Sequence, residues 1–143
     1  MAKLDKGSII IGGKMIKSIR FENFFCFKNT KIELENQTNI LLGINGSGKT
    51  NFLKAIKFLY EAVAGMGLKN LIIDSWGGFE EIYYCDLENE QKDKKLFVIE
   101  FEFDKKVFSK FGYHFKKNFY YKIIVHKNPG YSNYYVTENI YMP

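Results

Sequence analysis

The stretch that decides the fold is GINGSGKT, from Gly43 to Thr50. Its spacing matches the pattern GxxxxGK[ST]. Gly46 and Gly48 allow backbone angles that other residues resist, so that successive N–H groups can turn toward one point and form a cradle for an anion. The pattern therefore predicts a phosphate-binding loop, and a glycine-rich turn that only connects two elements is the less specific alternative.

The residues on both sides of this loop carry the patterns of a strand and a helix. Asn39 to Leu42 form a near-continuous apolar run, which is typical of a strand buried on both faces. After the loop, apolar residues recur at helical spacing as far as the glycines at 65 and 67, where a helix can end. The helical positions are Phe52, Ile56, Leu59 and Val63. The sequence thus predicts a strand–loop–helix unit whose helix points its positive end at the anion.

The residues of the loop have distinct predicted tasks. Lys49 supplies a point charge for the β and γ phosphate oxygens of ATP or a close relative, and the hydroxyl of Thr50 is placed to ligate Mg²⁺. The predicted metal ligand is therefore Thr50. The predicted nucleotide-binding residues are Gly43, Asn45, Gly46, Ser47, Gly48, Lys49, Thr50 and Asn51.

The rest of the chain predicts antiparallel β structure. Apolar and acidic residues alternate from Ile99 to Asp104, a period of two that no helix would satisfy. Aromatic residues are frequent, and they favour the half-buried surfaces of strands. The predicted strands are 15–27 with a bend near Asn23, 30–35 with Ile32 and Leu34 turned inward, 99–103, 121–125, and 131–141 after a turn at 128–130.

Composition limits the class of protein. The chain has 143 residues, of which 46% are hydrophobic, and this suffices for one domain with one core. Its formal charge is +5, but the lysines are scattered along the chain. A nucleic-acid partner is therefore an open alternative that the charge pattern does not itself indicate. No apolar run approaches the roughly 20 residues that span a bilayer, and Cys26 and Cys85 lack metal or redox spacing, so we expect a cytoplasmic protein. Residues 1–14 are predicted to be a leader or tag-like segment.

The N-terminal part of the chain resembles a known family. Residues 15–24 (MIKSIRFENF), the alternating strand at 31–35 and the loop at 43–51 resemble the N-terminus of RecF/SMC-like ATPases. These are ABC-type heads, and they include many AAA-labelled ATPases of bacterial defence and OLD-type systems. The segment 76–82 is similar to the piece that follows the first helix in those ATPases.

The resemblance implies a fold, ligands and partners. It implies that 15–143 is the N-terminal lobe of an ABC-type head, an α/β P-loop NTPase lobe with a strand–loop–helix Walker A unit and an antiparallel β subdomain. The implied ligands are ATP and Mg²⁺. The implied partners are a missing second ATPase lobe and a second head, since two heads sandwich ATP in this family and drive DNA-engaged machinery. Related proteins often have Arg or Lys and then Ser where this chain has Phe25 and Cys26.

The further catalytic motifs of such heads have only weak counterparts here. The family needs a Q-loop, a signature motif, a Walker B strand ending in an acid, and a switch histidine. The segment from Leu71 to Asp74 imitates a Walker B strand but follows Lys49 too closely, and Gln91 lies in a charged stretch. His114 and His126 have no identifiable acid partner, so we assign no catalytic residue.

Three functional interpretations remain open. The first is an ATPase lobe that is nearly inert alone, because its Walker B and signature motifs lie outside this chain. The second is a nucleotide-sensing or partner-binding module that does not hydrolyse nucleotide. The third is a basic nucleic-acid-binding β domain whose affinity depends on salt and ignores Lys49. We favour the first interpretation.

Overall fold

A computed structural model describes most of the chain from Met15 onward. The described residues are 15–35, 38–64, 67–70, 72, 76–84, 95–107, 109, 112–128, 130 and 133–143. The predicted leader, 1–14, lies outside them. The strands are β1 (Ile16–Phe24), β2 (Phe27–Glu33), β3 (Lys95–Phe103), β4 (Phe119–Lys127) and β5 (Tyr134–Tyr141). The helices are α1 (Lys49–Val63), α2 (Leu68–Asn70) and α3 (Phe79–Ile82).

The five strands form one antiparallel sheet in the order β2-β1-β3-β4-β5. β1 and β2 make a hairpin whose last pair is Phe24 opposite Phe27. β3 then pairs with β1 across a long gap in sequence, with Phe101 opposite Ile19. The predicted antiparallel β subdomain is therefore confirmed.

One face of the sheet carries the hydrophobic core. The alternation in β3 turns Ile99 and Phe101 to this face, where they lie opposite Phe21 and Ile19 of β1. All four side chains are fully buried, and each such burial contributes roughly 1.5–3 kcal/mol. The buried side chains that α1 adds to this core are Phe52, Ala55 and Phe58. The sheet thus provides the base on which α1, and the loop before it, are positioned.

The helix α1 follows its predicted apolar stripe only in part. Phe52 is buried, and Ile56 and Leu59 pack against the core, as predicted. Val63 is 76% exposed, so its predicted place in the stripe is wrong. The buried positions of α1 are Phe52, Ala55 and Phe58, which recur every three residues. The face of the helix that contacts the core therefore turns away from Val63. No described helix has the length and apolar character to cross a membrane.

The segment before the glycine-rich loop differs from its prediction. Residues 38–44 form no strand, and Ile40, Leu42 and Ile44 are 76%, 88% and 84% exposed. A strand needs a neighbour to satisfy its backbone N–H and C=O groups, and none of the five described strands pairs with this segment. The prediction of a strand at Asn39 to Leu42 buried on both faces is therefore wrong for this structure.

The other strand predictions are confirmed with shifted ends. β1 ends at the predicted bend, because Asn23 has a φ of 49° just before the turn. β2 begins at Phe27, earlier than predicted, and both Ile32 and Leu34 pack against the core. β5 begins at Tyr134 rather than at 131. Such shifts are ordinary, because strand ends depend on the partner strand as well as on local pattern.

Candidate functional site

The glycine-rich loop, residues 43–50, leads directly into α1. Gly46 and Gly48 have φ angles of 84° and 89°, in the left-handed region that glycine adopts without strain. The N–H of Ser47 donates to the carbonyl of Ile44 at 3.2 Å and closes the turn. The first helical hydrogen bond then runs from the N–H of Phe52 to the carbonyl of Gly48 at 2.9 Å.

The N-terminus of α1 presents backbone donors to this loop. Because the helical ladder starts at Phe52, the N–H groups of Lys49, Thr50 and Asn51 have no acceptor within the helix. Gly48, the N-cap residue, offers no side chain to cap them, and the first turn contains no acidic residue. The helix dipole adds partial positive charge at the same end. This end of α1 is therefore suited to an anion.

The loop and the start of α1 line a concavity of about 350 Å³. This volume is at the lower end of the range for ligand pockets, roughly 300–1,000 Å³. Six of the eight predicted nucleotide-binding residues line it. They are Asn45, Gly46, Gly48, Lys49, Thr50 and Asn51. The remaining two, Gly43 and Ser47, contact the side chain of Lys49 instead.

The side chain of Lys49 folds back over the loop. Its Nζ donates to the carbonyl oxygens of Gly43 and Ile44, each at 2.7 Å, and to Oγ of Ser47 at 3.2 Å. Among the described residues it has no carboxylate partner. Hydrogen bonds to a charged oxygen are stronger than those to a neutral carbonyl, so an anion in the concavity would draw the ammonium toward it. Thr50, the next residue, is exposed beside it.

The turn between β1 and β2 packs against the loop. A Cβ atom at Gly48 would lie 2.8 Å from Sγ of Cys26 and 3.2 Å from Cζ of Phe27, so this position has room only for glycine. Asn51 adds a hydrogen bond from Nδ2 to Sγ of Cys26 at 3.3 Å. The loop pattern alone did not predict this contact. The one signal for it was the resemblance, which marked the positions of Phe25 and Cys26.

Phe25 holds this turn in place beside α1. Its φ of 48° is a strained conformation for a non-glycine residue, and its N–H donates to the carbonyl of Ile82 at 2.6 Å. The ammonium of Lys54 lies over its ring, 4.3 Å from the centroid, and the ring of Trp76 is 5.8 Å away. This chain therefore places a ring and a thiol, those of Phe25 and Cys26, beside the loop.

The weaker catalytic candidates are two residues outside the described part of the chain and two histidines away from this site. Asp74 and Gln91 lie outside the described residues. His126 follows Val125 on β4, and because Val125 points to the core, alternation turns His126 to the opposite face of the sheet. His114 is exposed in the connection between β3 and β4. We assign neither histidine a role.

Comparison with known proteins decides the family. The model of the AAA ATPase domain family matches residues 15–143. The chain belongs to the AAA ATPase domain family. The resemblance to RecF/SMC-like ATPases, drawn from residues 15–51, is confirmed.

Curated relatives of this AAA ATPase domain cover a shorter stretch. Over 55 residues the chain is 44% identical to the DNA replication and repair protein RecF of Rickettsia canadensis (strain McKiel) and to that of Rickettsia conorii (strain ATCC VR-613 / Malish 7). RecF of Rickettsia felis (strain ATCC VR-1525 / URRWXCal2) matches to the same extent. In each case the match covers 38% of this chain and 14% of the relative. The chain thus spans a small part of the length of these relatives.

Proposed function

We propose that residues 43–50 are a Walker A P-loop that binds ATP with Mg²⁺. The observation that carries the proposal is the uncapped N-terminus of α1, which opens beside the ammonium of Lys49. Backbone donors, the helix dipole and a lysine charge then act on one concavity, as phosphate binding requires. Membership of the AAA ATPase domain family supports ATP as the nucleotide.

Each residue has a proposed task in binding. The N–H groups of Gly46, Gly48, Lys49 and Thr50 donate to phosphate oxygens, while that of Ser47 keeps its hydrogen bond to the carbonyl of Ile44. Lys49 exchanges its hydrogen bonds to the loop carbonyls for bonds to the β and γ phosphates, which carry full charges. The hydroxyl of Thr50 is the proposed protein ligand of Mg²⁺, and the metal when bound neutralises charge on the phosphates.

We further propose that a second lobe completes the ATPase. The near-continuous apolar run before the loop is the pattern of a strand buried on both faces, yet Ile40, Leu42 and Ile44 are each more than three quarters exposed. Tyr60 and Val63 of α1 are also exposed. Apolar surface of this kind is typical of an interface. A lobe that pairs with this segment would turn it into the predicted strand and would supply the Walker B acid and the signature motif.

Calorimetric titration of the 143-residue chain with Mg²⁺ and ATP tests the P-loop proposal. Loss of hydrogen bonds to a charged partner typically costs about 1.5–3 kcal/mol, so Lys49→Ala should weaken binding about ten- to a hundredfold. Lys57→Ala is the matched control, because Lys57 is an exposed lysine of α1 whose ion pair is with Glu61 at 3.3 Å. It should leave the affinity unchanged. Unchanged affinity in Lys49→Ala would refute the proposal.

Phosphate release in the same samples tests the need for a second lobe. Hydrolysis requires a positioned water, an acid that holds the metal and a charge near the γ-phosphate, and the described residues provide only the cradle and Thr50. We therefore expect ATP binding without phosphate release. Robust turnover by the chain alone would contradict the proposal, and Asp74 would then be the first residue to replace.

A further inference from the structure

The two buried polar residues of β1 lie at opposite ends of the strand. Ser18, near its start, donates a hydrogen bond from Oγ to Oε2 of Glu102 at 2.7 Å. Asn23, near its end, donates from Nδ2 to the carbonyl of Leu96 at 3.1 Å, which links β1 to the start of β3. The five steps between them span roughly 17 Å of extended strand, so the two residues act on different parts of the molecule.

The conformation of Asn23 sets the direction of the chain at the end of β1. Its φ of 49° is left-handed, and asparagine is one of the few residues other than glycine that adopt this region. Two residues later, Phe25 has a φ of 48°. We call residues 23–26 the β1–β2 turn. Strained backbone of this kind persists only where the surrounding structure holds it, and it concentrates at functional sites.

Hydrogen bonds from two segments hold the β1–β2 turn in place. The N–H of Phe25 donates to the carbonyl of Ile82 at 2.6 Å, and the N–H of Tyr84 donates to the carbonyl of Asn23 at 2.9 Å. The side chain of Asn23 adds its bond to Leu96 on β3. We call the turn seated when these bonds are made. The side-chain bond is the one that a substitution can remove while the backbone groups stay as they are.

The β1–β2 turn touches two residues of the proposed nucleotide site. Sγ of Cys26 and Cζ of Phe27 lie 2.8 Å and 3.2 Å from the place that a Cβ of Gly48 would occupy. Nδ2 of Asn51 donates to Sγ of Cys26 at 3.3 Å. Gly48 and Asn51 both line the concavity of the glycine-rich loop. Because glycine is conformationally permissive, the direction of the Gly48 N–H depends on the neighbours that pack against it.

We propose that Asn23 is a positioning residue for nucleotide binding, which holds Gly48 and Asn51 in place through the β1–β2 turn. The inference rests on the proposed function of the glycine-rich loop. Asn23 is not among the residues that line the concavity, so it acts through the turn and not by contact with the phosphates. The seated turn is the state that binds. The apparent affinity for ATP then falls with the fraction of molecules in which the turn is seated.

Calorimetric titration of the 143-residue chain with Mg²⁺ and ATP measures this effect. Asn23→Gly keeps the left-handed angle without strain but removes the side-chain hydrogen bond. The loss of one such bond should weaken ATP binding by about threefold to tenfold. Ser18→Ala is the matched control, because it removes a buried side-chain hydrogen bond from the other end of the same strand. It should lower the urea midpoint but leave the affinity for ATP unchanged.

The emission of Trp76, the single tryptophan of the chain, reports whether the turn is seated. Its ring lies 6.3 Å from that of Phe24 and 5.8 Å from that of Phe25, between centroids. Without nucleotide, the emission of Asn23→Gly should shift to longer wavelength as the ring meets water. Saturating Mg²⁺ and ATP should return it to the emission of the nucleotide-bound wild type, because a ligand of the seated state shifts the population toward that state. Ser18→Ala should match the wild type with and without nucleotide.

Hydrogen exchange of the wild-type chain gives a second test that needs no variant, and it holds even if Asn23→Gly does not fold. The reporters are the amides of Phe25 and Tyr84, whose hydrogen bonds open when the turn leaves its seat. With ATP at about ten times its Kd, exchange at both should slow about tenfold. The reference is the amide of Leu34, which donates to the carbonyl of Lys17 at the far end of β1 at 2.7 Å. Its exchange should change by less than about twofold.

Several results would overturn the inference. If Asn23→Gly bound ATP as tightly as the wild type, the inference would fail while the P-loop proposal stood. Equal weakening by Ser18→Ala would show that lost stability, and not the position of the turn, is the cause. Equal slowing of exchange at Leu34 and Phe25 would contradict the inference in the same way. Failure of the P-loop proposal would instead appear as absence of ATP binding by the wild type, which removes both, or as unchanged affinity in Lys49→Ala.

Discussion

Replacing Gly48 with alanine perturbs the glycine-rich loop and the sheet at once. The φ of Gly48 is 89°, and an added Cβ would lie 2.8 Å from Sγ of Cys26 and 3.2 Å from Cζ of Phe27. Gly46 is a matched control, since its φ is 84° but a Cβ there would have no atom within 4 Å. The two alanine variants therefore separate backbone strain from steric contact.

The expected magnitudes follow from these two terms. The left-handed conformation costs a non-glycine residue about 1–2 kcal/mol, and this should be the whole effect of Gly46→Ala. Gly48→Ala adds an overpacked contact, which typically costs about 1–3 kcal/mol, for a total of about 2–5 kcal/mol. The thiol of Cys26 is exposed and can move away. The ring of Phe27 is stacked on buried Phe21 at 4.7 Å, so its movement disturbs the core.

Urea unfolding of the two variants is the assay. With an m value of roughly 2 kcal/mol per molar, the midpoint should fall by about 0.5–1 M for Gly46→Ala and by about 1–2.5 M for Gly48→Ala. The m value itself should not change. Equal midpoints for the two variants would refute the steric part of the reasoning, and a wild-type midpoint for Gly48→Ala would refute all of it.

Two further predictions concern pH and the face of the sheet opposite α1. The hydrogen bond to Glu100, together with burial, raises the pKa of Tyr141 to about 12. Its contribution to stability is complete below pH about 10 and is lost toward pH about 12, so the urea midpoint should fall in this window by less in Tyr141→Phe than in the wild type. Some fall should persist in the variant, because the pKa values of Tyr120 and Tyr121 are also raised. Burial raises the pKa of Glu102, but hydrogen bonds from Ser18 and Asn118 outweigh burial, and the net pKa lies below its ordinary value of 4.5. The stabilisation that Glu102 provides is present above pH 4.5 and is lost as the pH falls further. The urea midpoint of Glu102→Gln should therefore depend less on pH in the acid range than that of the wild type. The same dependence in both proteins would contradict this.

Local pattern was sufficient to predict most strands and the glycine-rich loop. In β3, Ile99 and Phe101 are buried in the core, while the intervening Glu100 and Glu102 form ion pairs and hydrogen bonds on the other face. This outcome depends on side-chain alternation within one strand, which the sequence displays directly. The same holds for the loop, whose glycines at 46 and 48 adopt positive φ angles that other residues resist.

Contacts between distant segments could not be predicted in this way. Ile40 and Leu42 carry the pattern of a buried strand, but pairing needs a neighbour that the described residues do not supply. The approach of Cys26 to Gly48 depends on how the β1–β2 hairpin packs against α1, which no local pattern encodes.

The central claim is that the glycine-rich loop holds the phosphates of a nucleotide. The most direct measurement is the change in backbone amide resonances of the isotope-labelled chain as Mg²⁺ and ATP are added. We predict that the largest changes occur at Gly46, Gly48, Lys49 and Thr50, with little change at Lys116 in the connection between β3 and β4. Changes confined to residues outside the loop and α1, or no changes within the loop at saturating nucleotide, would contradict the claim.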